Sequence, residues 1–444
     1  MRTRRAFFCL LVLLCSLLFT GCDESGLSSL SSRQTAAVPP ACASDPPPVS
    51  SSGVAAVSQI PLAGSPFPAV QTRFGFQSLQ TDLQRTCYEK MEQAAYRVSS
   101  RKGESGYAVD RFSVYGELPE AEIRLVLAAF AEDHPEIFWL QGSFSYTHAF
   151  GRTVLDLTSL FSPEECLSMQ AEMNRAVERL FGGITLQMDG FERELYLHDA
   201  LLANCEYADR ELDSENAGEG EYPLIYTAYG ALVNGRAVCE GYAGAMRLLL
   251  RGAGIPVRKV SGRSEGELHA WNAVQLGGEW YHLDPTWNDT EYGTVYQYFN
   301  LSDQQILQDH TISPDYRGLT EEELCGKADT PPASFNLSLP ACTGESQNYF
   351  IRRGILITGM DASSDQAVVA QIVEKIQRGE TVLCFRAGDS MDYGKTMDMM
   401  LRQQPYKLLY YLKQANRELP PPLRKDLDQV RYLEFENHRS VLVY

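Results

Sequence analysis

The chain has 444 residues, with 57 acidic and 39 basic side chains and a formal net charge of −18 at pH 7. Nucleic-acid binding requires a basic face, so this charge argues against that class of partner. The excess of acid favours solubility and gives a weak preference for cationic partners.

The N-terminus predicts export. Arg2, Arg4 and Arg5 precede an apolar run at residues 6–19, a pattern typical of a secretory signal. The run is short for a membrane-spanning helix, which needs about 20 residues; an uncleaved membrane anchor is the alternative. Phe19-Thr20-Gly21-Cys22 resembles a bacterial lipobox, with Phe19 where Leu is usual.

We therefore expect residues 1–21 to be a signal peptide and Cys22 to be the lipidated residue of a membrane-anchored lipoprotein. The rest of the chain would lie outside the cytoplasm, at the outer face of the cell membrane. Residues 22–75 are rich in Ser, Pro and Ala, including Pro46-Pro47-Pro48. This composition predicts a disordered tether between the lipid and the folded part.

A mixed segment follows at residues 76–190, interpreted as an N-terminal α+β domain. Ser162-Pro163-Glu164-Glu165 is a strong helix start, because it offers a cap, a proline in the first turn and a glutamate three residues on. The patterns predict helices at 83–98, 119–133 and 162–181, and strands at 107–115, 138–147 and 153–157.

Residues 191–330 contain the candidate reactive residues and are interpreted as the core domain of the chain. A helix is predicted at 192–208, followed by an acidic loop at 209–220. The Ala-, Met- and Leu-rich run after Cys239 favours another helix, which Gly252 and Gly254 would end. Cys239 would then lie at a helix N-terminus, where the dipole and free N–H groups stabilise a thiolate. The same N–H groups could bind an oxyanion.

His269 and Asp284 lie on a predicted β-hairpin. Two strand-like runs, 270–276 and 279–283, flank the two-residue turn Gly277-Gly278. This register makes His269 and Asp284 diagonal neighbours on one face, roughly 7–8 Å apart at Cα and within reach of a hydrogen bond. A shift of one residue would place them on opposite faces.

Four segments together resemble the transglutaminase-like superfamily of papain-like cysteine enzymes, in its bacterial branch. They are Gly235-Arg236-Ala237-Val238-Cys239-Glu240-Gly241-Tyr242-Ala243, Gly254-Ile255-Pro256-Val257, His269-Ala270-Trp271-Asn272 and Tyr281-His282-Leu283-Asp284-Pro285-Thr286-Trp287. The resemblance covers about residues 190–310. It implies an α+β fold with a papain-like core, flanked here by α/β segments. It also implies amide chemistry through a thioester, either hydrolysis or transfer to an amine.

By position, the resemblance makes Cys239 the nucleophile, His269 the general base and Asp284 the orienting acid. Tyr226 and Tyr229 are candidates for the side chain that completes the oxyanion hole, and the sequence does not choose between them. The alternative for Cys239 is a small buried hydrophobe. No metal or organic cofactor is implied, and no calcium loop is present.

Other polar and aromatic residues near these motifs are expected to have structural roles, not catalytic ones. His282 shares a face with Asp284 but lies outside the His-Ala-Trp-Asn segment, so we expect it to be a packed or hydrogen-bonded strand residue. Trp271 and Trp287 are expected to pack in the core, with lining of a substrate groove as the alternative. Asn288 and Asp289 are expected to be turn residues.

Eight cysteines follow Cys22, and their spacing contains no CxxC and no metal-ligand pattern. If Cys239 is free, the seven others cannot all be paired. Some disulfides could form outside the cell, but the sequence does not indicate which.

Residues 331–444 are predicted to form a C-terminal α/β domain. The patterns predict strands at 353–358, 381–385, 431–436 and 440–444, and helices at 365–378 and 393–403. The order of elements is similar to that at 107–157, which indicates either a weak repeat of one α/β module or convergent patterning.

The sequence therefore predicts an exported transglutaminase-like cysteine hydrolase or acyltransferase. Its substrate would be a peptide or protein amide, with cell-wall peptides as one candidate. The competing hypothesis is a non-enzymatic cell-surface module that binds peptides or cell-wall material on the same fold.

Overall fold

The structure is a computed structural model that describes residues 22–23, 54–56, 65–70, 72–208, 222–291 and 293–444. The predicted signal peptide, most of the predicted tether and the acidic loop at 209–220 lie outside the described residues. Within the described part of the chain, no helix is both long and apolar enough to cross a bilayer.

The chain forms two units. The first contains residues up to Ala273 together with Asp309–Pro340, and the second contains Val274–Gln308 and Ala341–Tyr444. The division falls within the strand Glu267–Leu276, which therefore contributes residues to both. Helices and strands are mixed along the chain, which confirms the predicted α+β class.

An antiparallel sheet dominates the N-terminal part of the first unit. Its strands run in the order Cys22–Asp23, Leu140–Ala149, Arg152–Ser159, Gly106–Val109, Arg97–Gly103 and Val54–Ala56, and Phe112–Tyr115 also pairs with Arg152–Ser159. Cys22–Asp23 is the exception to the antiparallel pairing, because it lies parallel to its neighbour. Two short pieces of the predicted tether thus take part in this sheet.

The helices of the first unit begin at residues that can cap them. Thr81, Ser162 and Asp189 each form a capping box with the residue three positions later, which satisfies two of the N–H groups that a helix start leaves unpaired. The helices of this part of the unit are Phe74–Ser78, Asp82–Ala94, Glu120–Asp133, Pro163–Phe181 and Gly190–Asn204.

Two predicted helices are shorter than expected. The helix predicted at 83–98 ends at Ala94, because Val98 is used in the strand Arg97–Gly103, where it is fully buried. The helix predicted at 192–208 ends at Asn204. The strand Glu206–Tyr207 then pairs in parallel with Arg236–Ala237.

The remainder of the first unit contains the helix Cys239–Gly252. Its strands Glu267–Leu276, Val257–Ser264 and His310–Ile312 lie side by side in that order, and Ser264 is opposite His310. Its other helical elements are a 3₁₀ turn at Tyr222–Tyr226, a π-helical turn at Gly230–Asn234, a 3₁₀ turn at Tyr316–Gly318 and a short helix at Glu321–Leu324.

In the second unit, the strand Glu279–Leu283 pairs antiparallel with Phe299–Leu301. It follows the turn Gly277-Gly278, whose φ angles of 60° and 91° suit glycine and the tight hairpin predicted there. Short elements follow at Pro285–Asn288, Asp289–Thr290, Gly293–Thr294, Asp303–Ile306 and Tyr349–Arg353.

The rest of the second unit is a four-stranded sheet with helices. The strands lie in the order Gly354–Ile357, Leu383–Ala387, Ser440–Val443 and Tyr432–Phe435, and the first pair is parallel. The helical elements are Ala362–Gln377, Tyr393–Met397, a π-helical turn at Asp398–Arg402, Lys407–Glu418, and 3₁₀ turns at Pro421–Leu423 and Glu436–His438. Because residues 107–157 pair antiparallel instead, the two segments differ in topology, and their similar patterning is convergent.

Candidate active site

Cys239 is the first residue of the helix Cys239–Gly252 and is 8% exposed. The residue before it, Val238, has an extended backbone, and its apolar side chain makes no capping hydrogen bond to the helix start. The predicted placement of Cys239 at a helix N-terminus is therefore confirmed. The positive end of the helix dipole favours negative charge at this position.

The start of this helix packs closely against the chain that precedes it. A Cβ on Gly241 would lie 2.6 Å from the carbonyl oxygen of Ile225, so a larger side chain could not be accommodated without movement. The Val238 N–H donates to the same carbonyl at 3.0 Å, and the Tyr242 hydroxyl donates to the carbonyl of Cys205 at 3.2 Å. These contacts fix the backbone on both sides of Cys239.

A buried ion network contacts the same helix at Arg247. Arg247 donates to the Glu132 carbonyl at 2.6 Å and pairs with the Glu132 carboxylate at 3.5 Å. The carboxylate also lies 3.7 Å from Arg258 Nε and accepts the Lys259 N–H at 3.0 Å. Both guanidinium groups and Glu132 are buried, so each charge depends on these partners for compensation.

Glu240, next to Cys239, carries a negative charge close to the helix start. Its carboxylate accepts a hydrogen bond from Lys259 Nζ at 2.9 Å. Burial acts to raise the pKa of Glu240, but the charges of Lys259 and Arg247 outweigh it and lower the pKa below its ordinary value. Glu240 is thus a stable ion-pair partner.

His269 lies on the strand Glu267–Leu276, in the same unit as Cys239. The next residue, Ala270, packs in one apolar cluster with Cys239 and Ala243. Asn272 donates to the Ala243 carbonyl at 3.0 Å, which ties this strand to the helix that begins with Cys239. The structure therefore brings the backbone segments of Cys239 and His269 together.

His310 is a residue that the sequence analysis did not identify. Its ring centroid lies 5.5 Å from that of His269 and 5.1 Å from that of Trp271. Its Nδ1 is 2.6 Å from the carboxylate of Asp309, and the residue is 1% exposed. No motif surrounds it; the pairing of His310–Ile312 with Val257–Ser264 places it here.

Asp284 lies in the second unit and caps the short helix Pro285–Asn288. Its Oδ1 accepts the N–H groups of Thr286 at 3.0 Å and Trp287 at 3.2 Å. The residue is fully buried. These bonds hold the side chain in one orientation.

The remaining candidate residues have distinct surroundings. Trp271 is fully buried and stacks on His269 at 5.7 Å, whereas Trp287 is half-buried and packs on Tyr298 at 5.4 Å. Tyr226 is half-buried beside the apolar cluster that contains Val238. Tyr229 donates its hydroxyl proton to Glu172, and burial together with this carboxylate raises its pKa.

His282 and Asn288, which lie close to Asp284 in sequence, both form hydrogen bonds within the protein. His282 is buried, and its Nε2 lies 2.8 Å from Asp303 Oδ1, so the expectation of a hydrogen-bonded strand residue is confirmed. Asn288 accepts the Tyr298 N–H at 2.9 Å. Seven cysteines of the described residues are free and buried, namely Cys87, Cys166, Cys205, Cys239, Cys325, Cys342 and Cys384.

Comparison with known proteins agrees with this geometry. Residues 179–285 match the family model of the transglutaminase-like superfamily, and this range includes Cys239, His269 and Asp284. The chain contains a transglutaminase-like domain.

Two curated relatives are similar to part of the chain. Kyphoscoliosis peptidase from Mus musculus is 26% identical over 195 residues, which is 39% of this chain and 27% of the relative. Kyphoscoliosis peptidase from Homo sapiens is 37% identical over 75 residues, 14% of this chain and 11% of the relative. The chain thus matches about a quarter of the length of these relatives, or less.

Among solved structures, a TGase shares 15% identity with a TM-score of 0.25. The likeness covers 41% of this chain and 52% of that structure.

Proposed function

We propose that this protein is an extracytoplasmic cysteine enzyme that acts on peptide or protein amide bonds through a thioester. The observation that carries the proposal is the position of Cys239 at an N-terminus of a buried helix, with the strand of His269 packed against it. The family match over both residues supports the same assignment.

In this mechanism, His269 takes the proton of the Cys239 thiol, and the thiolate attacks the amide carbonyl carbon. The resulting oxyanion accepts hydrogen bonds from N–H groups at the helix start, with Tyr226 as the remaining candidate side-chain donor, because the Tyr229 hydroxyl donates its proton to Glu172. The imidazolium then returns its proton to the leaving amine as the C–N bond breaks, which leaves a thioester on Cys239. Water or a second amine attacks the thioester and releases the thiol.

Asp284 is proposed to orient His269. The register predicted from the two-residue turn at Gly277-Gly278 would make the two residues diagonal neighbours across the hairpin. The N–H groups of Thr286 and Trp287 hold the Asp284 side chain in one orientation, and a carboxylate in that role would stabilise the imidazolium.

We further propose that the enzyme works at the outer face of the cell membrane, anchored through lipid on Cys22. The argument rests on the signal-like residues 1–21 and the lipobox-like end of that segment. Its substrates would then be extracytoplasmic peptides or proteins, including cell-wall peptides.

The deciding experiment is the pH dependence of alkylation, measured for each cysteine by peptide mass spectrometry on the full chain. Cys325 is the internal reference, because it is also 8% exposed, while its burial and the charge of Glu120 raise its pKa. We expect Cys239 to react faster than Cys325 by on the order of a hundredfold at pH 6. The advantage should disappear in His269→Ala.

Equal labelling of the two cysteines would contradict the enzyme proposal and favour a module that binds peptides without cleaving them. If Cys239 is activated, a primary amine added to an amide substrate separates the two reactions. Incorporation of the amine identifies an acyltransferase, whereas release of the free acid alone identifies a hydrolase.

A further inference from the structure

His282, Asp303 and Cys342 form a second cluster of reactive side chains, and all three residues belong to the second unit. One ligand atom from each of them lies within 4.8 Å of the other two. His282 and Cys342 are buried, at 2% and 1% exposure. The Cys239 mechanism uses none of the three.

The hydrogen bonds of the cluster orient its donors. His282 Nε2 lies 2.8 Å from Asp303 Oδ1, and Asp303 Oδ2 accepts the Cys342 N–H at 3.0 Å. The carboxylate therefore connects the imidazole to the backbone of the cysteine. The three residues come from a strand, the first residue of the helix Asp303–Ile306, and the segment after Ala341.

We propose that these three side chains bind a zinc ion. Nitrogen, carboxylate oxygen and thiolate sulfur are the ligand types that zinc accepts, and three protein ligands leave one position for water. Tetrahedral zinc with bonds of about 2.0–2.3 Å needs its ligand atoms about 3.3–3.8 Å apart. The His282 and Asp303 ligand atoms are 2.8 Å apart and no pair of ligand atoms is more than 4.8 Å apart, so movements of about 1 Å reach that range.

The solvent exposure of Asp303 and the chemistry of the Cys342 thiol are also consistent with a bound zinc ion. The Asp303 side chain is 37% exposed, which gives an ion a path from solvent to the two buried ligands. A second nucleophile is the weaker interpretation, because burial and the charge of Asp303 raise the pKa of the Cys342 thiol. A bound cation deprotonates such a thiol, whereas a neighbouring carboxylate opposes its ionisation.

Zinc would join three segments that are distant in sequence: His282 and Asp303 are 21 residues apart, and Asp303 and Cys342 are 39 apart. These separations match no metal-binding motif, so the cluster is recognisable only in the folded chain. Bound zinc would stabilise the second unit, because the ligands converge only when it is folded.

The test is titration of the full chain with cobalt(II), in a Cys239→Ser background that removes the candidate nucleophile. We expect one equivalent of cobalt to produce a near-ultraviolet thiolate-to-cobalt band, and one equivalent of zinc to abolish it. Cys342→Ser should lose the band, and His282→Gln should weaken cobalt binding by at least about tenfold. Cys384→Ser is the matched control, because Cys384 is a 1% exposed free cysteine of the same unit.

Absence of the band from the Cys239→Ser protein would overturn the proposal, whatever the further variants do. The cluster would then be a hydrogen-bonded pair beside a buried thiol. A band that persists in Cys342→Ser, or that disappears in Cys384→Ser, would overturn it equally, because the thiolate ligand would then be a different cysteine.

Discussion

At the scale of single residues, backbone contacts on both sides of Cys239 hold this residue at the first turn of its helix. Gly241 allows the Ile225 carbonyl to approach the first turn of the helix, and Val238 donates its N–H to that carbonyl. The side chain before the helix is apolar, so it does not compete for the N–H groups of the first turn. These groups are thus suited to stabilise either a thiolate or an oxyanion.

His134 gives a prediction for the dependence of stability on pH. Its ring nitrogens lie 2.8 Å from Glu136 and 3.4 Å from Glu92. Burial acts to lower the pKa of His134, but the hydrogen bond to Glu136 and the negative charges of Glu136 and Glu92 outweigh it and raise the pKa from 6.5 to about 9. The protonated ring is therefore more favoured in the folded state than in the unfolded state.

Because the folded pKa is the higher one, this stabilisation is complete below pH 6.5 and is lost as the pH rises through about 9. The loss amounts to at most about 3 kcal/mol. We expect the unfolding free energy, measured in urea, to fall between pH 6.5 and 9 in the parent protein and to fall less in His134→Gln. His148→Gln, at an exposed histidine of the same unit, should keep the parental slope.

At the scale of elements, local signals predicted most of the secondary structure. The Ser162 capping box predicted the helix Pro163–Phe181, and the paired glycines predicted the hairpin turn. No element was predicted at residues 407–418, where the structure contains the helix Lys407–Glu418. Its buried residues nevertheless follow helical spacing, at Leu408, Tyr411, Leu412 and Ala415.

The surroundings of the candidate site were less predictable than its motifs. The Cys239 and His269 motifs are local runs, and each carries its own structural signal. His310 reaches His269 through the pairing of distant strands, and Glu132 reaches Arg247 across 115 residues. These two contacts join residues that are distant along the chain and that lie in no local motif. A single sequence therefore does not predict them.

The ion network of Glu132 gives a prediction about the helix that begins with Cys239. Glu132→Gln keeps the shape of the side chain but leaves the buried guanidinium groups of Arg247 and Arg258 without their carboxylate. We expect the unfolding free energy, measured by urea denaturation, to fall by about 3–5 kcal/mol. The alkylation rate of Cys239 should fall as well, because the helix is held by these contacts.

Asp156→Asn is the matched control, because it breaks an ion pair in the same unit whose arginine, Arg111, is largely exposed. We expect it to cost less than about 1 kcal/mol and to leave Cys239 labelling unchanged. Equal losses for the two variants would show that the Glu132 network has no special role in holding the helix.

At the scale of the whole molecule, the proposed activity and the proposed location depend on different parts of the chain. The transglutaminase-like match ends at residue 285, whereas the predicted signal peptide and lipidation site lie before residue 23. Substitutions at Cys22 and at Cys239 should therefore act separately. A variant without the anchor should retain Cys239 reactivity, and a Cys239 variant should retain its location.

Lipidation of Cys22 is tested by growing a bacterial host that expresses the full chain with radiolabelled palmitate. We expect the parent protein to carry the label and to fractionate with membranes, because two or more acyl chains give stable anchoring. Cys22→Ser should lose the label, since no thiol remains to accept a lipid. Cys42→Ser, at the next cysteine along the chain, should retain it. Label in Cys22→Ser, or its absence from the parent, would refute the anchor and leave the chemistry at Cys239 to be judged by its own experiment.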